Sequence, residues 1–323
     1  MNQIPNRMIE TLKDHQTFLL LTHKKPDGDA VGSCIALGKG LKALGKEVDY
    51  YIETPVEDKL KFFSEIGYFN EKLEKHYDVI LLLDCSTLEH AHVPEHLPEH
   101  GTLAVIDHHK SNDAYGDVNF IEITSATAEL AFRLLKALEV EMDNEMIEAV
   151  FTGISTDTGS FQFSNVTSDT HLILSELYKM KDHFAVLSKK LHSEKSYSQM
   201  KLYGKAVESM SLFADNTIAW ILLKYEDISK YGGPLNITDD IANIGMNTIG
   251  VQLSATLKEV DNGEYRVSLR SKSPFNIDVS ELAKAHGGGG HIRAAGFTYS
   301  GDLDVLKQEL KDLIEKQRMA ENE

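Results

Sequence analysis

Short apolar runs alternate with segments whose apolar positions recur every three to four residues, and this alternation organises the first half of the chain. Residues 18–22 and 47–52 read as strands. Between them, residues 28–44 place Val31, Ile35, Leu37 and Leu41 near helical spacing. Residues 79–83 and 103–106 are continuous apolar runs of the length expected for strands covered on both faces. Helices are predicted over 125–138 and 144–154. The alternation predicts an α/β fold: a mainly parallel sheet with helices on both faces, and ligands bound beyond the carboxyl ends of the strands.

From about residue 167 to 211 no strand pattern appears, and helices rich in Lys, Ser and Leu are predicted over 175–181 and 196–210. The alternation then restarts, with strands over 217–223, 251–260, 264–271 and 294–299 and helices over 239–248, 279–286 and 303–319. The Asp261-Asn262-Gly263 turn is a hairpin signal, so this part should hold a mixed sheet. The predicted organisation is an N-terminal domain over 1–184, a helical linker over 185–211 and a smaller C-terminal α/β domain over 212–323. Such a plan predicts a cleft that opens and closes about the linker.

Composition narrows the class. A chain of 323 residues, 42% apolar and 26% charged, can bury two separate cores. No apolar run reaches the roughly 18 residues of a membrane span, and the start of the chain lacks a secretory pattern, so a soluble, cytoplasmic protein is expected. Two cysteines, Cys34 and Cys85, do not make a disulfide framework. Cys85, beside Asp84, reads as a small buried side chain rather than a soft metal ligand. A net charge of −17 argues against a long nucleic-acid surface but leaves room for a short anionic substrate met by local positive charge.

The candidate chemistry lies at the ends of the predicted elements. His23 and Asp27-Gly28-Asp29 follow the first strand, Asp84 follows the 79–83 run, Asp107-His108-His109 ends the 103–106 run, and Asp157 follows the 144–154 helix. Taken singly, these pieces read as a turn, a surface pair and a helix end. Gathered in one pocket, the carboxylates of Asp27, Asp29, Asp84 and Asp157 would repel one another by about 4 kcal/mol for each pair some 4 Å apart at an effective dielectric of about 20. Two divalent cations would balance the four charges. With His23 and His108, the donors are oxygen and imidazole nitrogen, which suits Mn²⁺, with Mg²⁺, Co²⁺ or Fe²⁺ as substitutes. Gly28 would let both neighbouring carboxylates face one cavity, towards which the following helix points its positive end.

In order and spacing, Asp27-Gly28-Asp29, Asp84, Asp107-His108-His109 and Asp157 resemble the DHH phosphoesterase superfamily. Gly287-Gly288-Gly289-Gly290-His291-Ile292-Arg293-Ala294-Ala295-Gly296-Phe297 resembles the glycine-rich signature of the DHH-associated substrate-binding domain. The resemblance covers essentially the whole chain and is nearest to two-domain nanoRNase/pAp phosphatases of the NrnA type. It implies that His23, Asp27 and Asp84 hold one metal ion, that Asp29, Asp84, His108 and Asp157 hold another, and that Asp84 bridges them. Asp107 would orient an imidazole, and His109 would donate to the substrate phosphate or the leaving oxygen.

In the C-terminal part, the backbone N–H groups of Gly288, Gly289 and Gly290 could approach a phosphate or a base closely, with His291 and Arg293 favouring an anion. Without those two residues, the glycines read as a flexible loop. Arg270 and Lys272 could hold a terminal phosphate, or form an ordinary solvated strand end. The resemblance implies a hydrolase that uses a two-metal-activated water. Its expected substrates are short single-stranded RNA, yielding 5′-mononucleotides, and 3′-phosphoadenosine 5′-phosphate (pAp), yielding AMP and phosphate. A homodimer is also implied. A length limit of about two to five nucleotides would follow if the acidic surface repels longer polymer. The alternatives are a phosphodiesterase for linear dinucleotides such as pApA or pGpG, a family II inorganic pyrophosphatase, and a catalytically silent nucleotide sensor. An exonuclease of the RecJ type would need further nucleic-acid-binding domains.

Overall fold

The structure, a computed structural model, describes residues 3–70, 73, 74, 76–231, 241–261, 263–272, 275 and 277–320. The chain divides into two compact units, Met1–Glu194 and Lys195–Glu323.

The first unit opens with helix α1 (Asn6–Asp14) and continues β1 (Thr17–Leu21), α2 (Gly28–Ala43), β2 (Glu47–Tyr51), β3 (His76–Leu83), β4 (Glu99–Asp107) and β5 (Val118–Ile121). Helices α3 (Thr127–Ala137), α4 (Asn144–Asp157), α5 (Ser168–Met180) and α6 (Ala185–His192) complete it. The five strands run in the order β2-β1-β3-β4-β5, with all pairings parallel. Strand order reverses between β1 and β3, which creates a crevice at their carboxyl ends. His23 and Asp27 follow β1, and Asp84 follows β3.

Alternate residues of the strands feed two cores. Phe18, Leu20, Val79, Leu81, Leu83, Ala104 and Ile106 pack with apolar residues of all six helices. Leu19, Leu21, Ile80, Leu82 and Val105 are covered instead by Cys85, Ala91 and Tyr115 from loops. The helices expected on both faces therefore gather on one, because the connections from β3 to β4 and from β4 to β5 carry no helix.

The second unit contains α7 (Tyr197–Ser209), β6 (Ser211–Phe213), β7 (Ile218–Leu223), α8 (Tyr225–Lys230), β8 (Leu253–Asp261), β9 (Glu264–Ser271), α9 (Val279–Ala285), β10 (Gly289–His291), β11 (Ala294–Tyr299) and α10 (Leu303–Ala320). Its sheet has the order β10-β11-β9-β8-β7-β6 and is mixed: β7 and β8 are parallel, and the other neighbours are antiparallel. α9 and α10 cover one face, while α7 and α8 pack on the other.

Two predicted features change. The helix predicted over 239–248 begins outside the described residues, and its later part is a 3-10 turn at Gly245–Asn247. A Cβ at Gly245 would lie 2.2 Å from Ser254 Oγ, so the segment lies tight against β8. The helices of residues 185–211 are shared between the units: Leu187 and Leu191 of α6 join the first core, and Leu202 and Ala206 of α7 join the second. Asn262 of the predicted turn lies outside the described residues, and Gly263 beside it has φ +82°.

Candidate metal centre

The carboxyl ends of β1, β3 and β4 and the ends of three helices converge on one cluster. Asp27 is the N-cap of α2, and its Oδ1 accepts from the N–H groups of Asp29 (2.9 Å) and Ala30 (3.1 Å). Asp29 lies one residue into the helix, where it is 1% exposed. Its carboxylate accepts from the N–H groups of Thr127 (2.6 Å) and Ala128 (2.9 Å) and from Ser33 Oγ (3.2 Å). The same carboxylate therefore binds the amino end of α3, whose positive dipole favours a negative charge. Gly28 has no positive φ. Its missing Cβ makes room for Thr156 of α4, whose Oγ1 would lie 2.4 Å from that atom.

Asp84 has a left-handed backbone (φ +54°), a conformation Asp tolerates better than most residues. Its Oδ1 accepts from Thr127 Oγ1 at 3.0 Å and lies 3.6 Å from His108 Nε2, while its Oδ2 lies 3.6 Å from His23 Nε2. His23 donates through Nδ1 to Lys24 O (2.8 Å), and His108 through Nδ1 to Thr124 O (3.0 Å). In each ring the other nitrogen is thereby turned towards the carboxylates. His108 Nε2 also lies 3.7 Å from Asp157 Oδ2. α4 extends past its predicted end to place Asp157 in its last turn.

Potential ligand atoms fall within 4.8 Å of one another in three overlapping groups: His23, Asp27 and Asp84; Asp29, His108 and Asp157; and Asp84, His108 and His109. The electrostatics of these groups reflects buried, crowded carboxylates. Burial, then the charges of Asp84, Asp157 and Asp27, push the Asp29 carboxyl well above its ordinary range. Burial is also the main cause that carries Asp157 up to about 6, against the opposing charge of His108. Burial opposes a charge on His23, yet hydrogen bonding to Asp27 and Asp84 carries it up to about 11. Asp27 is held low by His23 in spite of its burial. The pocket thus recruits protons to offset its carboxylates. Among the described residues, the ion-pair partners of these acids within 4.0 Å are all histidines. Hard oxygen donors and oriented imidazoles fit divalent cations, which would replace those protons.

Asp107 stands behind this shell. Its Oδ1 accepts from His109 Nδ1 (2.8 Å), and its Oδ2 accepts from Asn112 Nδ2 (2.7 Å). Burial alone would raise Asp107, but these bonds hold it below the ordinary range, and the same bond raises His109 despite partial burial.

Four supporting residues were missed in the sequence: Asn112, Thr127, Glu129 and Asn165. Glu129 is buried and accepts from Thr124 Oγ1 and Ser125 Oγ, which fixes the loop whose Thr124 carbonyl receives His108. Asn165 Nδ2 donates to Ser125 O (3.0 Å) and Asp157 O (3.1 Å). A cap-like Ser125-Ala-Thr-Ala-Glu129 was the one visible signal.

In the second unit, Gly289, Gly290 and His291 form edge strand β10, paired to β11. The glycine run is therefore not a free loop. A Cβ at Gly288 would lie 2.2 Å from Gly296 O, and one at Gly290 would lie 2.4 Å from Ala294 O, so the neighbouring strand uses both openings. His291 and Arg293 are exposed. Arg270 is paired across the sheet with Ala294, and Ala294 with His291, so these residues form one cross-strand row. Lys272 donates to Met246 O at 3.2 Å.

This fold and residue set define a DHH phosphoesterase. Residues 17–154 match the DHH family N-terminal domain, and residues 213–316 match the DHHA1 domain. The chain belongs to the DHH family and is a phosphoester hydrolase. It is 30% identical over 300 residues to the bifunctional oligoribonuclease and PAP phosphatase NrnA of Thermus thermophilus, covering 92% of this chain and 89% of the relative. It is 28% identical to the Bacillus subtilis protein of the same description, covering 96% and 98%. A crystal structure of an exopolyphosphatase-related protein from Bacteroides fragilis superimposes with a TM-score of 0.87 at 25% identity, covering 100% of both chains. Among the described residues, no helix is long and apolar enough to cross a membrane.

Proposed function

We propose that the protein hydrolyses short oligoribonucleotides to 5′-mononucleotides and pAp to AMP, using two divalent ions, with Mn²⁺ preferred. The observation that carries this reading is that three adjoining ligand groups are linked by shared residues, with Asp84 in two of them and His108 in two. Relatives described as oligoribonuclease and PAP phosphatase, matched over nearly their whole length, support the substrate class.

His23, Asp27 and Asp84 would hold one ion, and Asp29, Asp84, His108 and Asp157 the other. Bound there, the ions would lower the pKa of a water and offset charge on the reacting phosphate. Asp107 fixes the tautomer and direction of His109 and favours its charged form. His109 then offers its Nε2 proton to the phosphate or the leaving oxygen, a general-acid role typically worth about 10²–10⁴-fold in rate. Arg293, Arg270 and Lys272 supply positive groups for an anionic substrate, and His291 an exposed ring nitrogen beside them.

Metal-stripped protein, with and without Mn²⁺ or Mg²⁺, is incubated with pAp, an RNA dimer, linear pGpG and pyrophosphate. Metal-dependent release of AMP and mononucleotides from the first two, abolished by Asp84→Ala, is the expected result. Turnover of pyrophosphate or pGpG alone would replace the reading, and binding without turnover of any substrate would make the protein a sensor.

A further inference from the structure

The loop that follows Asp157 presents an aromatic ring with little packing to account for it. Gly159, Ser160 and Phe161 have consecutive left-handed φ values of +54°, +57° and +66°. Thr158 holds this turn: its carbonyl accepts from the N–H groups of Gln162 (2.9 Å) and Phe163 (3.0 Å), and its Oγ1 accepts from Phe161 N–H (3.1 Å). Asn165 ties the far side of the loop to Asp157. Phe161 points inward, 6.3 Å from Phe151, and packs on the first core. Phe163 remains 59% exposed. Its ring sits over Gly159, where a Cβ would meet ring carbons at 2.4 to 2.7 Å.

Left-handed non-glycine residues carry a conformational cost, and here they hold an apolar ring in water two residues from Asn165 and over a glycine two residues from Asp157. A flat, sequence-tolerant partner would bury the open part of such a ring, and a nucleobase is that partner wherever the adjoining chemistry is on its phosphate. We propose that Phe163 is a stacking platform for a base of the bound nucleotide, so that substrate recognition is divided between phosphate at the metal centre and base at this loop. The proposal rests on the nucleotide reading above.

The test compares wild type with Phe163→Ala and Phe163→Trp, using KM for pAp and inhibition by AMP and by ribose 5-phosphate, which lacks the base. Base–aromatic stacking contributes about 1–3 kcal/mol per base, so Phe163→Ala should raise KM and the AMP inhibition constant about 5- to 150-fold. Inhibition by ribose 5-phosphate should stay unchanged, and Phe163→Trp should retain wild-type values. Trp220 is the chain's one tryptophan and is buried. Quenching by AMP that appears in Phe163→Trp and not in wild type would therefore place the base at this position. An unchanged AMP constant in Phe163→Ala would overturn the proposal, as would equal weakening of both inhibitors, which marks general damage to the loop or a lost self-association contact. Wild type inactive on every nucleotide would instead overturn the function proposed above.

Discussion

Thr127 serves two candidate ligands at once. Its N–H meets Asp29, and its hydroxyl meets Asp84 at 3.0 Å. Such outer contacts typically change metal affinity or activity about 10- to 100-fold. Thr127→Val keeps the shape and the N–H and removes the hydroxyl, so calorimetric Mn²⁺ affinity should fall by about that factor, while Thr127→Ser should restore it. Equal affinities for the Val and Ser variants would show that the hydroxyl is idle.

The protons on this cluster give a second prediction at the residue scale. Folding raises Asp157 from an ordinary 3.8 to about 6. Between those values the folded, metal-free protein holds a proton that the unfolded chain has released, so its stability falls as pH rises through the window. The raised Asp29 carboxyl acts in the same direction, and so does His23, whose raised value makes its contribution fade above its ordinary 6.5. The Tm of metal-free protein should fall between about pH 4 and about pH 6 as Asp157 ionises, and again above about pH 6.5 as the His23 contribution fades. Mn²⁺ should flatten the curve, and Asp157→Asn should reduce the slope. A metal-free Tm that rises over this range would contradict the assignment.

At the scale of elements, the centre depends on how closely α2 approaches α4. A Cβ on Gly32 would lie 2.4 Å from Ala149 O, and one on Gly153 would lie 2.5 Å from Ala128 Cβ and 2.6 Å from Asp29 Oδ1. Overpacking of this kind costs about 1–3 kcal/mol. Gly32→Ala should lower Tm by several degrees and weaken metal binding as well, because α2 carries Asp29 and α4 carries Asp157. Gly204→Ala, with nothing within 4 Å of the new atom, is the control and should be neutral or mildly stabilising. If thermal melts and Mn²⁺ titration give the same values for both variants, helix approach does not set the site.

The same elements show what a sequence can tell. Runs such as Val79–Leu83 and the periodic apolar positions of α2 announce themselves, because burial on both faces or on one stripe leaves a period. The acidic motifs were legible because charge gathered at strand ends has few structural uses. Face assignment was not legible: α2 is buried on nearly every side, so its pattern gives no direction, and the loops over Leu19 and Leu82 have no period. In the described part of the 239–248 segment, the 3-10 turn at Gly245–Asn247 lies against Ser254, a contact that local spacing does not record. Thr127 and Asn165 act through single hydrogen bonds made by three-dimensional proximity, which no interval along the chain records. Short β5 and β10 lacked the length to stand out.

At the scale of the molecule, the net charge of −17 sets how polymer length should matter. On the function proposed above, a dinucleotide would bring only a few phosphate charges to the protein. Each further nucleotide would add a negative charge to be held against a protein of net charge −17. That repulsion is screened over about 10 Å at 0.1 M salt. The kcat/KM should therefore drop from an RNA dimer to an oligomer of about 24 nucleotides, and the ratio of long-substrate to short-substrate rate should rise as salt increases from about 50 to 200 mM. A protein that draws long RNA along a basic groove behaves in the opposite way, losing affinity steeply with salt as phosphate contacts are screened. Rates measured on the two lengths across that salt range decide between these behaviours. Equal rates on both lengths, or a ratio that falls with salt, would mean that substrate length is not selected by the charge of this surface.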